Sequence, residues 1–141
     1  MVIDREYTYR LLQCAYRVHN ALGPGLLESV YEAALMYELE ANGFKVKHQV
    51  PVKIMYREVE LDINLRLDII VDECVILELK SVSEILPIHK KQLLTYMRLT
   101  DIQLGYVINF NEAYLKNGIE RVVNNFSDTS APLRLCARTN C

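Results

Sequence analysis

The stretch Arg66–Lys80, RLDIIVDECVILELK, decides the fold, because it predicts two neighbouring strands joined by a tight turn. Polar and apolar residues alternate before the turn, and an apolar run follows it. In the second strand, Glu78 and Lys80 are two residues apart and therefore share a face. Taken alone, an acid beside a lysine on an apolar strand indicates a structural ion pair, because charged side chains are rarely buried without a partner.

Asp68 in the first strand favours a different interpretation. It lies opposite Glu78 if Val71 pairs with Val75 around a three-residue loop, or if a bulge lies near Asp68. A strict two-residue turn would separate the two acids. Carboxylates on directly opposed residues, with Cβ atoms about 4.5–5.5 Å apart, repel each other unless a cation lies between them. Mg²⁺ or Mn²⁺, held by one or two carboxylates with water and phosphate, would meet that need, and Lys80 would lie beside it.

The rest of the chain predicts helices around this pair of strands. Helical periodicity covers residues 4–22, which end at Gly23-Pro24-Gly25, and residues 26–41, which end at Asn42-Gly43. Strands are predicted at 46–54, 61–71, 74–80 and 103–110, a helix at 87–99, and one or two short helices within 111–126. Pro51 indicates that the first strand is an edge strand or contains a bulge. The order α-α-β-β-β-α-β predicts an α/β fold with a mixed sheet flanked by helices.

Length and charge exclude several classes of protein. A chain of 141 residues fits one domain, which we place at 1–126, followed by a polar tail at 127–141. The net charge of −2 excludes a strongly basic coat for nucleic acid. No apolar window is long enough for a membrane helix, and the start of the chain does not resemble a signal peptide. The four cysteines form no CxxC pair of a zinc site. We therefore expect a cytoplasmic protein without membrane contact.

A further acid precedes the strands. Glu28 follows Gly25 and opens the second helix, where a glutamate is commonly explained by its interaction with the helix dipole. The pattern Gly25-x-x-Glu28-x-x-Tyr31, however, resembles the signature of the GxxExxY family. Asp68 with Glu78-x-Lys80 resembles the motif of the PD-(D/E)XK nuclease superfamily, in which that family is placed. The resemblance extends over residues 19–123 and includes Gln92-x-x-x-Tyr96, although Leu67 replaces the proline of the motif.

The resemblance implies a restriction-endonuclease-like core and a Mg²⁺-dependent (or Mn²⁺-dependent) nuclease, a hydrolase of DNA phosphodiester bonds. It implies that Glu28, Asp68 and Glu78 bind the metal and that the Leu79 carbonyl completes the shell. Lys80 would position the attacking water. The implied supporting residues are Gln92, which would line the groove, and His19, a further candidate metal ligand. Tyr96 fits a core role and a site role about equally well.

Two other functions remain open on the sequence. One is a nucleic-acid or protein binding module that keeps the fold without turnover. The other is a defence, toxin or RNA-processing component whose substrate comes from a partner. We also expect a homodimer, because a domain of this size has little room for a complete nucleic-acid groove. Lysines that could form a split basic rim for phosphates are Lys45, Lys47, Lys53, Lys90 and Lys91.

Overall fold

The structure is a computed structural model that describes residues 2–124. It confirms the α/β fold with a mixed sheet flanked by helices. The helices are α1 (Arg5–Leu22), α2 (Glu28–Ala41) and α3 (Pro87–Thr100). The strands are β1 (Val46–Pro51), β2 (Met55–Tyr56), β3 (Val59–Glu60), β4 (Arg66–Val71), β5 (Val75–Lys80), β6 (Leu104–Asn109) and β7 (Ile119–Val123), with a 3₁₀ turn at Leu115–Gly118 before β7.

Five strands form the main sheet in the order β1-β4-β5-β6-β7. Strands β5 and β6 run parallel, as the intervening helix α3 requires, and the other neighbours run antiparallel. β1 lies at one edge, where Pro51 removes a backbone donor without disrupting a central ladder. The predicted acids therefore lie on two interior strands of the sheet, β4 and β5.

Helices cover both faces of this sheet. On one face, α1 and α2 pack against apolar residues such as Ile69 and Leu77. On the other face, Leu93 and Met97 of α3 pack against Ile76 and its neighbours. None of the helices in the described part of the chain is long and apolar enough to cross a membrane.

The sequence prediction was wrong in two segments. The strand expected at 61–71 begins only at Arg66, because residues 52–65 fold back on themselves around the small β2–β3 hairpin. Val52 N–H donates to the Leu65 carbonyl at 2.9 Å, which closes this excursion. Within 111–126, one short 3₁₀ helix is present at Leu115–Gly118, but the residues after it form β7, which pairs with β6 at the sheet edge. The tail predicted at 127–141 lies outside the described residues.

Candidate active site

The pairing of β4 with β5 brings the two predicted acids together. Val71 pairs with Val75, as the three-residue loop requires, and Ile69 pairs with Leu77. One position further, the backbone N–H of Asp68 donates to Glu78 Oε1 at 3.4 Å. The Leu79 N–H donates to Asp68 Oδ2 at 2.8 Å. Side-chain to backbone bonds thus continue where the regular ladder ends, and they hold both carboxylates at the junction of the two strands.

Strand β4 also changes face at Asp68. In a regular strand, residues two apart lie on the same face. Here Ile69 packs with the α1–α2 cluster, whereas Leu67 packs with the α3 cluster. The neighbouring strand β1 makes the same change, since Val46 joins the α1–α2 cluster and Val50 the α3 cluster. Asp68 lies at the point of reversal, within reach of groups from both sides of the sheet.

Burial and mutual repulsion make this an unusual pair of acids. Glu78 is only 8% exposed, and burial, followed by the negative charge of Asp68, raises its pKa from 4.5 to about 8. Burial also raises the pKa of Asp68, and the charge that adds most to this rise is that of the Glu32 carboxylate. Near neutral pH the free protein therefore holds a proton on Glu78. A cation would replace that proton.

A cleft of about 370 Å³ opens beside Asp68. Glu28 stands at its rim, where its Oε2 accepts a hydrogen bond from the Ser81 N–H at 3.3 Å, directly after β5. The residues that line the cleft are Glu28, Ser29, Glu32, Gln49, Asp68 and Leu79. Three carboxylates and an amide thus surround one cavity, and oxygen donors of this kind suit a hard divalent cation.

The donors fit a cation that needs few protein ligands. Across residues 2–124, no group of three or more His, Cys, Asp or Glu side chains is arranged to hold a metal ion. The Asp68 and Glu28 carboxylates instead accept backbone N–H bonds. Mg²⁺ is usually held by one or two carboxylates together with water and substrate phosphate, so a pair of acids such as Asp68 and Glu78 has the chemistry that this ion needs.

Lys80 does not form the structural ion pair with Glu78 that the sequence alone favoured. Within residues 2–124, the ion pairs of the structure do not include these two side chains. Lys80 is half-buried at the end of β5, and its positive charge opposes the rise in the pKa of Glu78. The ammonium therefore lies close enough to act on the pair through its charge, without a direct contact to Glu78.

Of the two α3 residues in the motif, Tyr96 faces the acids more clearly. Tyr96 is half-buried, and its pKa is raised by burial and then by the charges of Glu78 and Asp68. Gln92, one turn earlier, is exposed. Gln92 and Tyr96 are four residues apart and share one face of α3, on which Tyr96 is the half-buried residue and Gln92 the exposed one.

His19 has contacts away from the two acids. It is buried near the end of α1, and its Nε2 is 2.7 Å from the Glu112 carbonyl, which makes that nitrogen the donor. Its ring stacks against Phe110 with a centroid separation of 6.5 Å. These contacts account for its burial as part of the core beneath α1.

Sequence reasoning missed three residues of the cleft, Ser29, Glu32 and Gln49. Gln49 Nε2 donates to Glu32 Oε1 at 2.8 Å, and His48 Nδ1 lies 3.4 Å from Glu32 Oε2. A signal for Glu32 was available, because it follows Glu28 by four residues on α2 and must share its face. None existed for Gln49, which the alternation of β1 assigned to the solvent side.

Three of the five lysines proposed as a basic rim have acidic partners. Lys47 pairs with Glu73. Lys53 lies 3.9 Å from Glu60, and Lys90 lies 3.8 Å from Glu120. Such pairs reduce the positive potential that these side chains could offer to phosphates.

The comparison with known proteins agrees with this geometry. A family model of the PD-(D/E)XK nuclease superfamily matches residues 5–122, and the chain belongs to that superfamily. The match does not single out the GxxExxY family within it, so that finer assignment stays a prediction. No curated protein and no solved structure matches the chain.

Proposed function

We propose that the protein is a divalent-metal-dependent nuclease that hydrolyses phosphodiester bonds of DNA. The observation that carries the proposal is the juxtaposition of Asp68 and Glu78 beside an open cleft rich in carboxylates. Membership of a superfamily typified by nucleases supports it. The raised pKa of Glu78, about 8, also supports it, because buried acids with strongly shifted pKa values are concentrated at functional sites.

In this proposal each residue has a distinct task. Asp68 and Glu78 would hold Mg²⁺ or Mn²⁺, with Glu28 at the rim of the cleft and the Leu79 carbonyl as further candidate ligands. When bound, the metal would neutralise charge on the phosphate and lower the pKa of an attacking water. Glu78 would have to be ionised to hold the cation, because only the carboxylate is a metal ligand.

The remaining groups act on water and substrate. Lys80, held beside the acids, orients the attacking water and stabilises charge on the scissile phosphate. Tyr96 closes the α3 side of the pair, and Gln92, exposed on the same helix, contacts the substrate. His19 is a candidate ligand only through Nδ1, since Nε2 is engaged by a backbone carbonyl.

We further propose a cytoplasmic homodimer built from a single domain at 1–126, with 127–141 as a tail. The rival proposal is a nucleic-acid or protein binding module of nuclease fold without turnover, and the ion pairs of the basic rim, which weaken its attraction for phosphates, favour the protein-binding form. A partner-dependent RNA-processing or defence component is the other alternative.

Cleavage assays separate these possibilities. The full chain is incubated with labelled single-stranded DNA, double-stranded DNA and RNA, with Mg²⁺, with Mn²⁺ or with a chelator. Lys80→Ala and Glu78→Gln serve as site variants, and Glu40→Ala, an exposed acid on α2, serves as the matched control. We expect metal-dependent cutting of DNA by the wild type and the control only. Equal cutting by all four proteins would indicate a contaminating nuclease, and no cutting of any substrate with either metal would favour the binding module.

A further inference from the structure

Gln49 has an unusual backbone conformation inside a strand. Its φ is 50°, in the left-handed region that non-glycine residues seldom occupy. The other described non-glycine residues with positive φ lie in turns or at the end of a helix: Arg57, Asp72, Glu73 and Asp101. Strained backbone of this kind persists only where surrounding contacts fix it, and it is concentrated at functional sites.

The contacts that fix Gln49 come from two sides. Its side-chain amide donates to Glu32 Oε1 at 2.8 Å. Its carbonyl accepts a hydrogen bond from Arg66 Nη1 at 3.1 Å, and Arg66 Nε is in turn bound to Asn64 Oδ1 at 3.0 Å. Both ends of the residue are thus held, one by helix α2 and the other by the start of strand β4.

The strain coincides with the place where Asp68 leaves the regular sheet. Pairing between β1 and β4 joins His48 to Ile69 and Val50 to Leu67, but it skips the intervening pair of Gln49 and Asp68. Both strands change face there, as their packing shows. If the strands did not change face, Asp68 would pair with Gln49 in an unbroken β1–β4 ladder, and its backbone would be fixed by that pairing.

We propose that Glu32 and Gln49 are positioning residues, whose hydrogen bond fixes the reversal of β1 and β4 and thereby holds the Asp68 carboxylate in the cleft. This inference rests on the proposed nuclease function, because it assigns the two residues to the proposed active site. Glu32 lies on α2, the helix that also carries Glu28. The Glu32–Gln49 hydrogen bond, called the brace below, therefore links α2 to the strand that pairs with β4, which carries Asp68.

A swap of the two side chains tests the brace. Gln49→Glu places two carboxylates against each other, whereas Glu32→Gln/Gln49→Glu restores the bond with donor and acceptor exchanged. Glu32→Ala removes it. Gln49→Gly removes the amide but tolerates the left-handed backbone, and so guards against simple misfolding. Glu40→Ala is the control.

Two readouts are taken for each variant. The first is hydrogen exchange of the Leu79 amide, which donates to Asp68 Oδ2 and reports its position without any activity. The second is kcat and KM for DNA cleavage. We expect Glu32→Ala, Gln49→Glu and Gln49→Gly to speed this exchange and to lower kcat by about tenfold or more, with KM within about twofold. The double variant should recover both values.

The outcomes distinguish failure of the positioning role from failure of the proposed nuclease function. Two results would overturn the positioning role. One is a Leu79 exchange rate in the three disrupting variants equal to that of Glu40→Ala. The other is a double variant whose exchange rate and kcat are no closer to the wild type than those of Gln49→Glu. A wild type that cuts no nucleic acid would refute the proposed function, and the exchange data would still decide whether Glu32 and Gln49 hold Asp68 in place.

Discussion

Replacement of Glu78 by glutamine should remove most of the pH dependence of stability in the metal-free protein. Glutamine imitates the protonated acid in size and hydrogen bonding but cannot ionise. The pKa of Glu78 is raised in the folded state, from 4.5 to about 8, so between these values the folded chain binds a proton that the unfolded chain has lost. The resulting stabilisation is complete below pH 4.5 and disappears as the pH rises through 8.

The size of the effect follows from the same interval. At 1.36 kcal/mol per pH unit, a rise in the pKa from 4.5 to about 8 corresponds to roughly 4–5 kcal/mol. About 4 kcal/mol of this should be lost by the wild type between pH 5 and pH 9. Asp68, whose pKa is also raised by burial, acts in the same direction. Because a domain of this size has a total stability of about 5–15 kcal/mol, the loss is easily measured.

The assay is urea unfolding at intervals from pH 5 to pH 9, with a chelator present. We expect the free energy of unfolding of the wild type to fall across this range and that of Glu78→Gln to stay much flatter. Addition of Mg²⁺ should stabilise the wild type most at the alkaline end, where the proton has already left. A wild-type stability that stays constant or rises from pH 5 to pH 8, in parallel with the variant, would refute the buried protonated acid.

Three other substitutions have defined outcomes. At pH 9, where Glu78 has lost its proton, Asp68→Ala should leave the metal-free fold as stable as the wild type or more stable in thermal melts, because it relieves carboxylate repulsion; a large loss of stability would contradict this. Lys80→Ala should lower the rate of cleavage by about 10²-fold or more with metal still bound. If Lys80 were instead a buried structural partner, the variant would lose roughly 3–5 kcal/mol of stability. Gly105→Ala should cost about 1–3 kcal/mol in urea unfolding, because its new Cβ would lie 2.9 Å from the Met97 sulfur; an unchanged midpoint would show that α3 can shift.

The central part of the fold could be predicted from local sequence rules. The short turn between Asp68 and Glu78 allowed two pairings of the strands, one that places the acids opposite each other and one that separates them. The pairing of Val71 with Val75 confirms the first. Pro51 correctly marked an edge strand. These features depend on alternation and turn length, which a sequence displays directly.

The excursion at 52–65 could not be predicted in the same way. Leu61 and Ile63 alternate with polar residues as a strand would, yet both are exposed in the structure. Their backbone is held by the local hairpin rather than by the sheet: the Leu61 N–H donates to the Ile54 carbonyl at 2.9 Å. Alternation indicates a strand-like backbone without showing which strand will pair with it.

The site was only half visible in the sequence for a related reason. Gln49 takes a left-handed backbone that nothing in its residue type favours, and contacts with Glu32 and Arg66 impose it. Gln92 was chosen for its place in a motif and its role stays a prediction, whereas the nearness of Tyr96 to the acids depends on how α3 packs. Both outcomes depend on tertiary packing.

The most direct test of the account is titration calorimetry of the full chain with Mg²⁺ and with Mn²⁺ near pH 7, in two buffers of different ionisation enthalpy. We predict binding whose heat depends on the buffer, because the cation displaces the proton from Glu78. Asp68→Ala should bind neither metal, and Glu40→Ala should bind both as the wild type does. Absence of binding by the wild type, or binding that survives Asp68→Ala unchanged, would contradict a metal site at the junction of β4 and β5.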